Sequence, residues 1–317
     1  MALAQTESTR FRRAQPLAVP SAPSRRPSRL NTFARAARRE PVGVIAALLV
    51  LLLLVTAVFA EWLAPQDPTS QALRFALRPP GSPGANGTTF LLGSDSLGRD
   101  VFSRLIYGTR ISLAIGVAAV LIGTIGGLLV GLFSGYRGGR TDTLIQRIMD
   151  SLQAIPTIVL AMLLVAGLGP AGRNLAVTAL AIGTTQIPRA NRVIRSNVLT
   201  VAREDYVQAA KAVGASELRI LFFHILPNVI PTTLIVFSTS VGTAIVTEAT
   251  LSFLGLAAPP PLATWGGMLT IQGRQFMVTA PWLLIAPAVA LSVTVLAFNF
   301  LGDSVRDLLD PRLRGRR

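Results

Sequence analysis

Uncharged, apolar stretches alternate with charged connections along this sequence, and six of them approach the length that a membrane span requires. A helix rises about 1.5 Å per residue, so roughly 20 apolar residues cross the hydrocarbon core of a bilayer. The pattern therefore predicts an all-α, polytopic membrane protein with six transmembrane helices. The predicted spans cover residues 42–60, 111–133, 151–172, 174–188, 225–247 and 275–302.

Two of these spans have an alternative interpretation. Residues 174–188 supply only about 22 Å of helix, which is enough if Arg189 and Arg192 extend their charged ends to the membrane surface. The first span ends in Val58-Phe59-Ala60, which is similar to a signal-peptidase site. The long preceding tail and the long apolar run favour an uncleaved span instead.

Composition and charge support the membrane interpretation. The chain is 51% hydrophobic and 14% charged, whereas charged residues make up about a quarter of a soluble domain. A net charge of +15 would suggest nucleic acid as the partner of a soluble protein. Here most basic residues fall in the two termini and in connections 134–150 and 189–224, which the six-span topology places on one side. Since basic residues are retained on the cytoplasmic side, we expect cytoplasmic termini, a plasma (inner) membrane location and no nucleic-acid partner.

The same pattern divides the chain into segments. The basic tail lacks apolar periodicity and is predicted to be disordered, and the apolar residues of 101–110 have the spacing of an interfacial helix. The predicted segments are a cytoplasmic tail (1–41), a first transmembrane helix (42–60), an extracytoplasmic segment that includes the interfacial helix (61–110), a five-helix core (111–302) with a cytoplasmic loop (189–224), and a basic cytoplasmic tail (303–317).

The longest cytoplasmic connection contains a predicted pair of short helices. An alanine-rich helix is stopped by Gly214, which can adopt a left-handed cap conformation. Ser216 is placed to cap a second helix, with Glu217 in its first turn. Pro227 follows at the next span. These signals predict a compact knob for docking a partner, and an ordinary polar loop is the alternative.

This connection resembles the EAA loop of binding-protein-dependent ABC importer permeases. Gln208 stands where that family has a glutamate, and His224 stands at a position that is usually isoleucine. Residues 92–110 and 248–266 are similar to further segments of the dipeptide/oligopeptide/nickel branch. The resemblance covers roughly residues 40–315, and it implies the bundle of a type I ABC importer permease. The residues that it implies for docking an ATPase are Tyr206, Gln208, Ala209, Ala210, Gly214, Ala215, Ser216 and Arg219.

The resemblance also implies partners. A phosphate-binding loop needs a Gly-Lys-Ser/Thr sequence, but the single lysine, Lys211, lies between two alanines. A permease of this class relies on two separate ABC ATPase subunits, a second homologous permease and an extracytoplasmic solute-binding protein. The resemblance therefore implies a subunit that is not an enzyme and carries no cofactor.

Polar residues inside the spans are candidates for the translocation pathway. Glu248 lies near the end of the fifth predicted span, where an ionisable residue suggests function. It could face the pathway, or it could lie at the interface and pair with Arg99 or Arg110. Ser240 and Thr243 could likewise line a wet path or form hydrogen bonds between helices.

The cargo implied by the resemblance is a di- or oligopeptide, with nickel or a nickel chelate as the alternative. No His, Cys or carboxylate cluster has metal-ligand spacing, and the chain has no cysteine. Asp95 and Asp100 lie among turn residues, which favours turn and helix-cap roles over a metal site. An ion-coupled secondary transporter is a further alternative, but it would require several carboxylates within the spans.

Overall fold

The computed structural model describes residues 41–84, 87–167, 174–270 and 275–309. Most of the predicted tail 1–41, the end of the predicted tail 303–317 and the last residues of the predicted span 151–172 lie outside these ranges. In chain order the helices are α1 (Pro41–Val58), α2 (Ala60–Leu63), α3 (Val101–Arg137), α4 (Gly139–Ala154), α5 (Thr157–Gly167), α6 (Leu175–Val201), α7 (Asp205–Ala212), α8 (Glu217–Arg219), α9 (Leu226–Phe253), α10 (Trp265–Met268) and α11 (Trp282–Leu309).

Within the described residues, four helical segments are long and apolar enough to cross a membrane, namely α1, α3, the run Glu217–Phe253 and α11. A fifth is added if α4 and α5, which meet at a bend of 92°, form one broken span. Helix α6 corresponds to the fourth predicted span and is long enough, but Arg189, Arg192 and Arg195 lower the hydropathy of its second half. The predicted all-α membrane fold is confirmed, while the count of six spans stays a prediction.

Residues 101–110 form the first turns of α3 and not a separate interfacial helix. Asp100 caps the helix, and its Oδ2 accepts a hydrogen bond of 2.8 Å from the Ser103 backbone N–H. Val101, Arg104 and Ile106 are buried. An apolar face that looked suited to a membrane surface therefore packs against other parts of this chain.

Helices α3 and α6 pack closely along a row of glycines spaced four residues apart. A Cβ atom at Gly123 would lie 2.7 Å from the Cβ of Gln186, and one at Gly135 would lie 3.0 Å from the Val198 Cγ1. Only glycine allows the two backbones to approach this closely. The glycines of this row, the α3–α6 seam, are Gly123, Gly127, Gly131 and Gly135.

The third predicted span, 151–172, is interrupted in the structure. Helix α4 ends at Ala154, Ile155 is extended with ψ near 128°, and α5 begins at Thr157. Pro156 explains the break, because proline lacks an N–H and disfavours a helical residue before it. The sequence predicted one span over residues 151–172, and in the structure this segment is broken at Pro156.

Residues 64–100, here called the cap segment, connect α2 to α3. They contain a 3₁₀ turn (Leu73–Phe75) and a two-residue antiparallel hairpin of β1 (Ser82–Pro83) and β2 (Thr89–Phe90), in which Ser82 pairs with Phe90. Trp282 at the start of α11 donates from Nε1 to the Ser94 carbonyl at 3.2 Å. The cap segment is therefore tied to the last long helix.

Candidate functional site

The predicted docking knob forms at residues 202–225, here called the docking loop. Helix α7 ends with Gly214 at φ +82°, where the Gly214 N–H donates to the Lys211 carbonyl and the Ala215 N–H donates to the Ala210 carbonyl, both at 3.0 Å. This pair of hydrogen bonds is a Schellman motif, which needs a left-handed residue at the glycine position. The predicted glycine stop is confirmed.

Ser216 occupies the cap position of α8, as predicted, but its side chain makes no capping hydrogen bond. A π-helical stretch, Ile220–Ile225, then leads into α9. Within the described residues the Nδ1 atom of His224 is buried without a hydrogen-bond partner. The His224 carbonyl accepts a hydrogen bond from Asn228 Nδ2 at 2.7 Å.

The docking loop has a buried side and an exposed side. Val207, Ile220 and Ile225 are almost fully buried and belong to one apolar cluster with Val198 and Val229. This cluster fixes the loop to α6 and α9. Five large side chains of the loop nevertheless remain exposed, and we call them the apolar docking residues. They are Tyr206, Val213, Leu218, Phe222 and Phe223.

The exposed apolar side chains are the feature of the loop that sequence reasoning missed, apart from Tyr206. Val213 is 83% exposed and Phe223 is 76% exposed on the single chain, and a cluster of exposed large apolar groups is typical of a surface that another protein or the membrane covers. The signal was present in the sequence, because apolar residues interrupt an otherwise polar connection. The resemblance to the EAA loop depends on the alanines and the glycine instead.

The other predicted docking residues differ in burial and in hydrogen bonding. Gln208 Nε2 donates to the Ala202 carbonyl at 2.8 Å, which holds α7 against the end of α6. Ala209, Ser216 and Arg219 are exposed, while Ala210 and Ala215 are half-buried. Burial raises the pKa of the Tyr206 phenol, and the negative charge of Glu204 raises it further. The phenol is therefore neutral at physiological pH.

The docking loop also touches the end of α3. The Lys211 ammonium lies 5.5 Å above the Tyr136 ring, which is a cation–π contact. The Arg137 guanidinium lies 3.8 Å from the Glu217 carboxylate, and both side chains are mostly exposed. The loop is thus connected to α3 as well as to α6 and α9.

The predicted pathway residues separate into two groups. Ser240 and Thr243 line a hollow of about 270 Å³ between the α4–α5 bend, α6 and α9. We call it the polar hollow because seven of its eleven lining residues have polar side chains, although apolar atoms supply most of its surface. Its polar residues are Gln153, Thr157, Thr185, Gln186, Arg189, Ser240 and Thr243.

Glu248 does not open onto the polar hollow. Its side chain is fully buried, and Ser252 Oγ donates to its Oε1 at 2.6 Å. The arginines suggested as its partners are engaged elsewhere, since Arg99 pairs with Asp95 at 2.6 Å and Arg110 pairs with Glu61 at 3.0 Å. Neither the pathway role nor the arginine pairing matches this environment, because Glu248 faces the inside of its own subunit.

Asp95 has the turn role that its neighbours predicted. Its Oδ1 accepts from the backbone N–H groups of Leu97 and Arg99, both at 2.9 Å. Its Oδ2 pairs with Arg99 and lies 3.8 Å from the Arg104 Nε. A carboxylate that accepts this many hydrogen bonds organises the chain entry into α3.

Comparison with known proteins identifies the family. Residues 127–315 match the family described as the inner membrane component of binding-protein-dependent transport systems. The chain belongs to this family. Residues 28–80 match the N-terminal transmembrane domain of oligopeptide transport permease C, which agrees with the resemblance noted in the sequence.

Two relatives cover nearly the whole permease. It is 43% identical over 282 residues to the glutathione transport system permease protein GsiD of Pectobacterium atrosepticum, covering 89% of this chain and 91% of that protein. A Brucella suis protein provisionally named a peptide transport system permease protein is 40% identical over 271 residues, covering 85% and 88%. One of the solved inward-facing structures of the MetNI methionine ABC transporter shares the fold, with 18% identity, a TM-score of 0.55 and coverage of 66% and 97%.

Family membership settles the broad role of the permease. It is a membrane-spanning, non-catalytic subunit of an ABC importer, so ATP hydrolysis takes place on partner ATPases and cargo arrives on a binding protein. The alternative of an ion-coupled secondary transporter is thereby excluded.

Proposed function

We propose that this permease imports di- or oligopeptides across the plasma (inner) membrane. The supporting observation is its similarity to permeases named for glutathione and for peptide transport, together with the match to oligopeptide transport permease C. Glutathione is itself a tripeptide. In this proposal the permease works with a second homologous permease, two ABC ATPase subunits and an extracytoplasmic solute-binding protein.

We infer the orientation from the basic residues. The docking loop carries Arg203, Lys211 and Arg219, and both ends of the chain are rich in arginine. Retention of basic residues on the cytoplasmic side supports cytoplasmic termini and a cytoplasmic docking loop. The tails 1–41 and 303–317 then extend into the cytoplasm, and the cap segment lies outside.

We assign ATPase binding to the docking loop. A cytoplasmic ATPase that covers the apolar docking residues would remove them from water, which stabilises the complex by about 25 cal/mol per Å² of apolar area. The buried side of the loop supports this assignment, because it attaches the loop to α6 and α9. The predicted motif residues then provide the shape of the knob, and the exposed apolar side chains provide the contact area.

Docking is tested with Phe223→Asp in a complex co-expressed with both ATPases. We expect at least a tenfold loss of ATPase co-purification, since buried aromatic contacts dominate interfaces. Leu73→Asp is the matched control, because Leu73 is 70% exposed and lies in the cap segment. Equal loss in both variants, or in neither, would contradict the assignment.

Cargo is tested by ATP hydrolysis in the complete complex reconstituted with its binding protein. We expect binding protein loaded with short peptides to stimulate hydrolysis more than the empty protein does. The same protein is also presented with nickel and with a nickel chelate. Stimulation by nickel alone would replace the peptide assignment with the metal one.

A further inference from the structure

Helices α4 and α6 are joined by a series of polar pairs. Arg195 Nε donates to Asp142 Oδ1 at 2.6 Å, and its Nη2 pairs with Oδ2 of the same carboxylate. Asn191 Nδ2 donates to Gln146 Oε1 at 3.0 Å, which is a neutral pair. Arg192 pairs with Asp150 at 2.8 Å. Each of these two arginines of α6 is therefore neutralised by a carboxylate of α4.

Arg189 breaks this pattern. It precedes Arg192 by three residues on α6, and it lines the polar hollow together with Gln153, which follows Asp150 by three residues on α4. The uncharged Gln153 stands where a carboxylate would continue the series. Among the described residues Arg189 takes part in no ion pair, and no Asp or Glu lines the hollow. A guanidinium stays protonated in proteins, so its positive charge is uncompensated there.

The rest of the polar hollow suits a small anionic group. Hydroxyl groups of Thr157, Ser240 and Thr243 can donate hydrogen bonds, while Thr185 Oγ1 already donates to the Ile182 carbonyl at 2.7 Å. The Nε2 atom of Gln186 is a buried donor without a hydrogen-bond partner in the described part of the chain. Several unused donors beside one unpaired guanidinium favour a ligand with two acceptor oxygens, since arginine binds carboxylates in a bidentate manner.

We propose that the polar hollow is a contact site for a carboxylate of the peptide cargo, with Arg189 as the anion-binding residue. This inference rests on the proposed peptide function and adds a preference for free carboxylates over amides. The hollow holds about 270 Å³, enough for one end of a peptide and not for a whole oligopeptide. The site would thus hold cargo by a chemical group that all unmodified peptides share.

A lipid phosphate offers the same anionic oxygens as a carboxylate. Arg189 is exposed in the isolated chain, so its guanidinium could also reach a headgroup at the membrane surface. Its position beside Gln153 and Thr185 favours cargo, because a headgroup would have to enter between α4, α6 and α9 to reach the other donors of the hollow. The experiment must still separate the two sources.

The test measures equilibrium binding of a fluorescent tripeptide and of its C-terminal amide to the permease–ATPase complex without binding protein. Omitting that protein removes its own selectivity. The complex is placed in nanodiscs of phosphatidylcholine, alone or mixed with phosphatidylglycerol. We expect the free acid to bind about tenfold more tightly than the amide in both lipids, because one charge-assisted hydrogen bond contributes a difference of this size. Arg189→Gln should abolish the difference. Arg147→Gln, which removes an exposed arginine of α4 outside the hollow, should retain it.

Three results would overturn the proposal. The first is equal binding of acid and amide by the unaltered complex, including no binding of either. The second is an acid preference that survives Arg189→Gln. The third is an acid preference that disappears in phosphatidylglycerol, which would assign the hollow to lipid headgroups. Stimulation of ATP hydrolysis by peptide-loaded binding protein is measured on the same preparation, so a failure of the peptide function itself is recognised separately.

Discussion

The cap segment buries polar and charged side chains, whereas the docking loop exposes apolar ones. In the cap segment Ser94, Asp95, Arg99 and Asp100 are buried, and each is hydrogen-bonded to a neighbour in the same chain. In the docking loop Val213, Leu218 and Phe223 are exposed. One region buries charge, and the other leaves apolar surface uncovered on the single chain.

This difference shows which region is complete within the single chain. Burying charge is costly unless the charges are paired, so the cap segment must have acquired its partners within this fold. Exposing large apolar groups is also unfavourable, unless another protein covers them. The cap segment is therefore expected to respond to mutation through stability, and the docking loop through assembly.

The largest effect is expected from Asp95→Ala. This change leaves the buried guanidinium of Arg99 without its carboxylate and removes the acceptor for two backbone N–H groups. Breaking a buried pair in this way costs about 3–5 kcal/mol of unfolding free energy, which thermal unfolding of the purified permease measures. Asp67→Ala, at an exposed position of the same segment, removes only exposed hydrogen bonds from Thr69 and should cost about 0.5–1.5 kcal/mol. Comparable losses in both variants would remove the contrast.

An intermediate effect is expected at Gly214. A Cβ atom there would meet nothing within 4 Å, but the residue has φ +82°, so Gly214→Val should destabilise the loop by about 1–2 kcal/mol through backbone strain alone. Gly214→Asn is the matched variant, because asparagine tolerates the left-handed region. We expect Val to reduce ATPase co-purification and Asn to preserve it. Equal behaviour of the two would show that the Schellman turn does not shape the docking surface.

The smallest effect is expected for Glu61 and Arg110, an ion pair with both side chains about half exposed or more. A double-mutant cycle with alanine at both positions should give a coupling energy of about 0.2–1 kcal/mol. The coupling should also shrink at high salt, because exposed charges are screened. A coupling energy as large as the Asp95→Ala effect would mean that burial does not determine how much an ion pair contributes to stability near the cap segment.

Local signals in the sequence predicted the parts of the structure that neighbouring residues determine. The glycine stop at Gly214 and the cap at Asp100 each depend on a few adjacent residues, so both were predicted. The pairing of Arg195 with Asp142 joins residues that are 53 positions apart, and only the packing of α4 on α6 brings them together. For the same reason, the uncompensated charge of Arg189 became evident only in three dimensions.

Three sequence predictions differ from the structure for different physical reasons. Residues 101–110 were predicted to lie at the membrane surface, but an amphipathic helix can bury its apolar face in lipid or in protein, and spacing alone does not distinguish the two. Residues 151–172 were predicted as one span, but Pro156 interrupts the helix, and the two parts meet at a bend of 92°. The pathway role of Glu248 was inferred from its residue type alone, but its position on α9 buries the side chain inside the subunit.

The glycine row was visible in the sequence and was not used, yet it has a mechanical consequence. Side chains of α6 such as Gln186, Ala190 and Val198 fill the spaces that the glycines of α3 leave, so the two helices cannot slide past each other without a steric clash and should move as one rigid unit. One end of this helix pair contacts the docking loop through Tyr136 and Val198. Force that a partner applies there should therefore tilt both helices together, and the distance between spin labels on α3 and α6 should stay constant throughout the transport cycle.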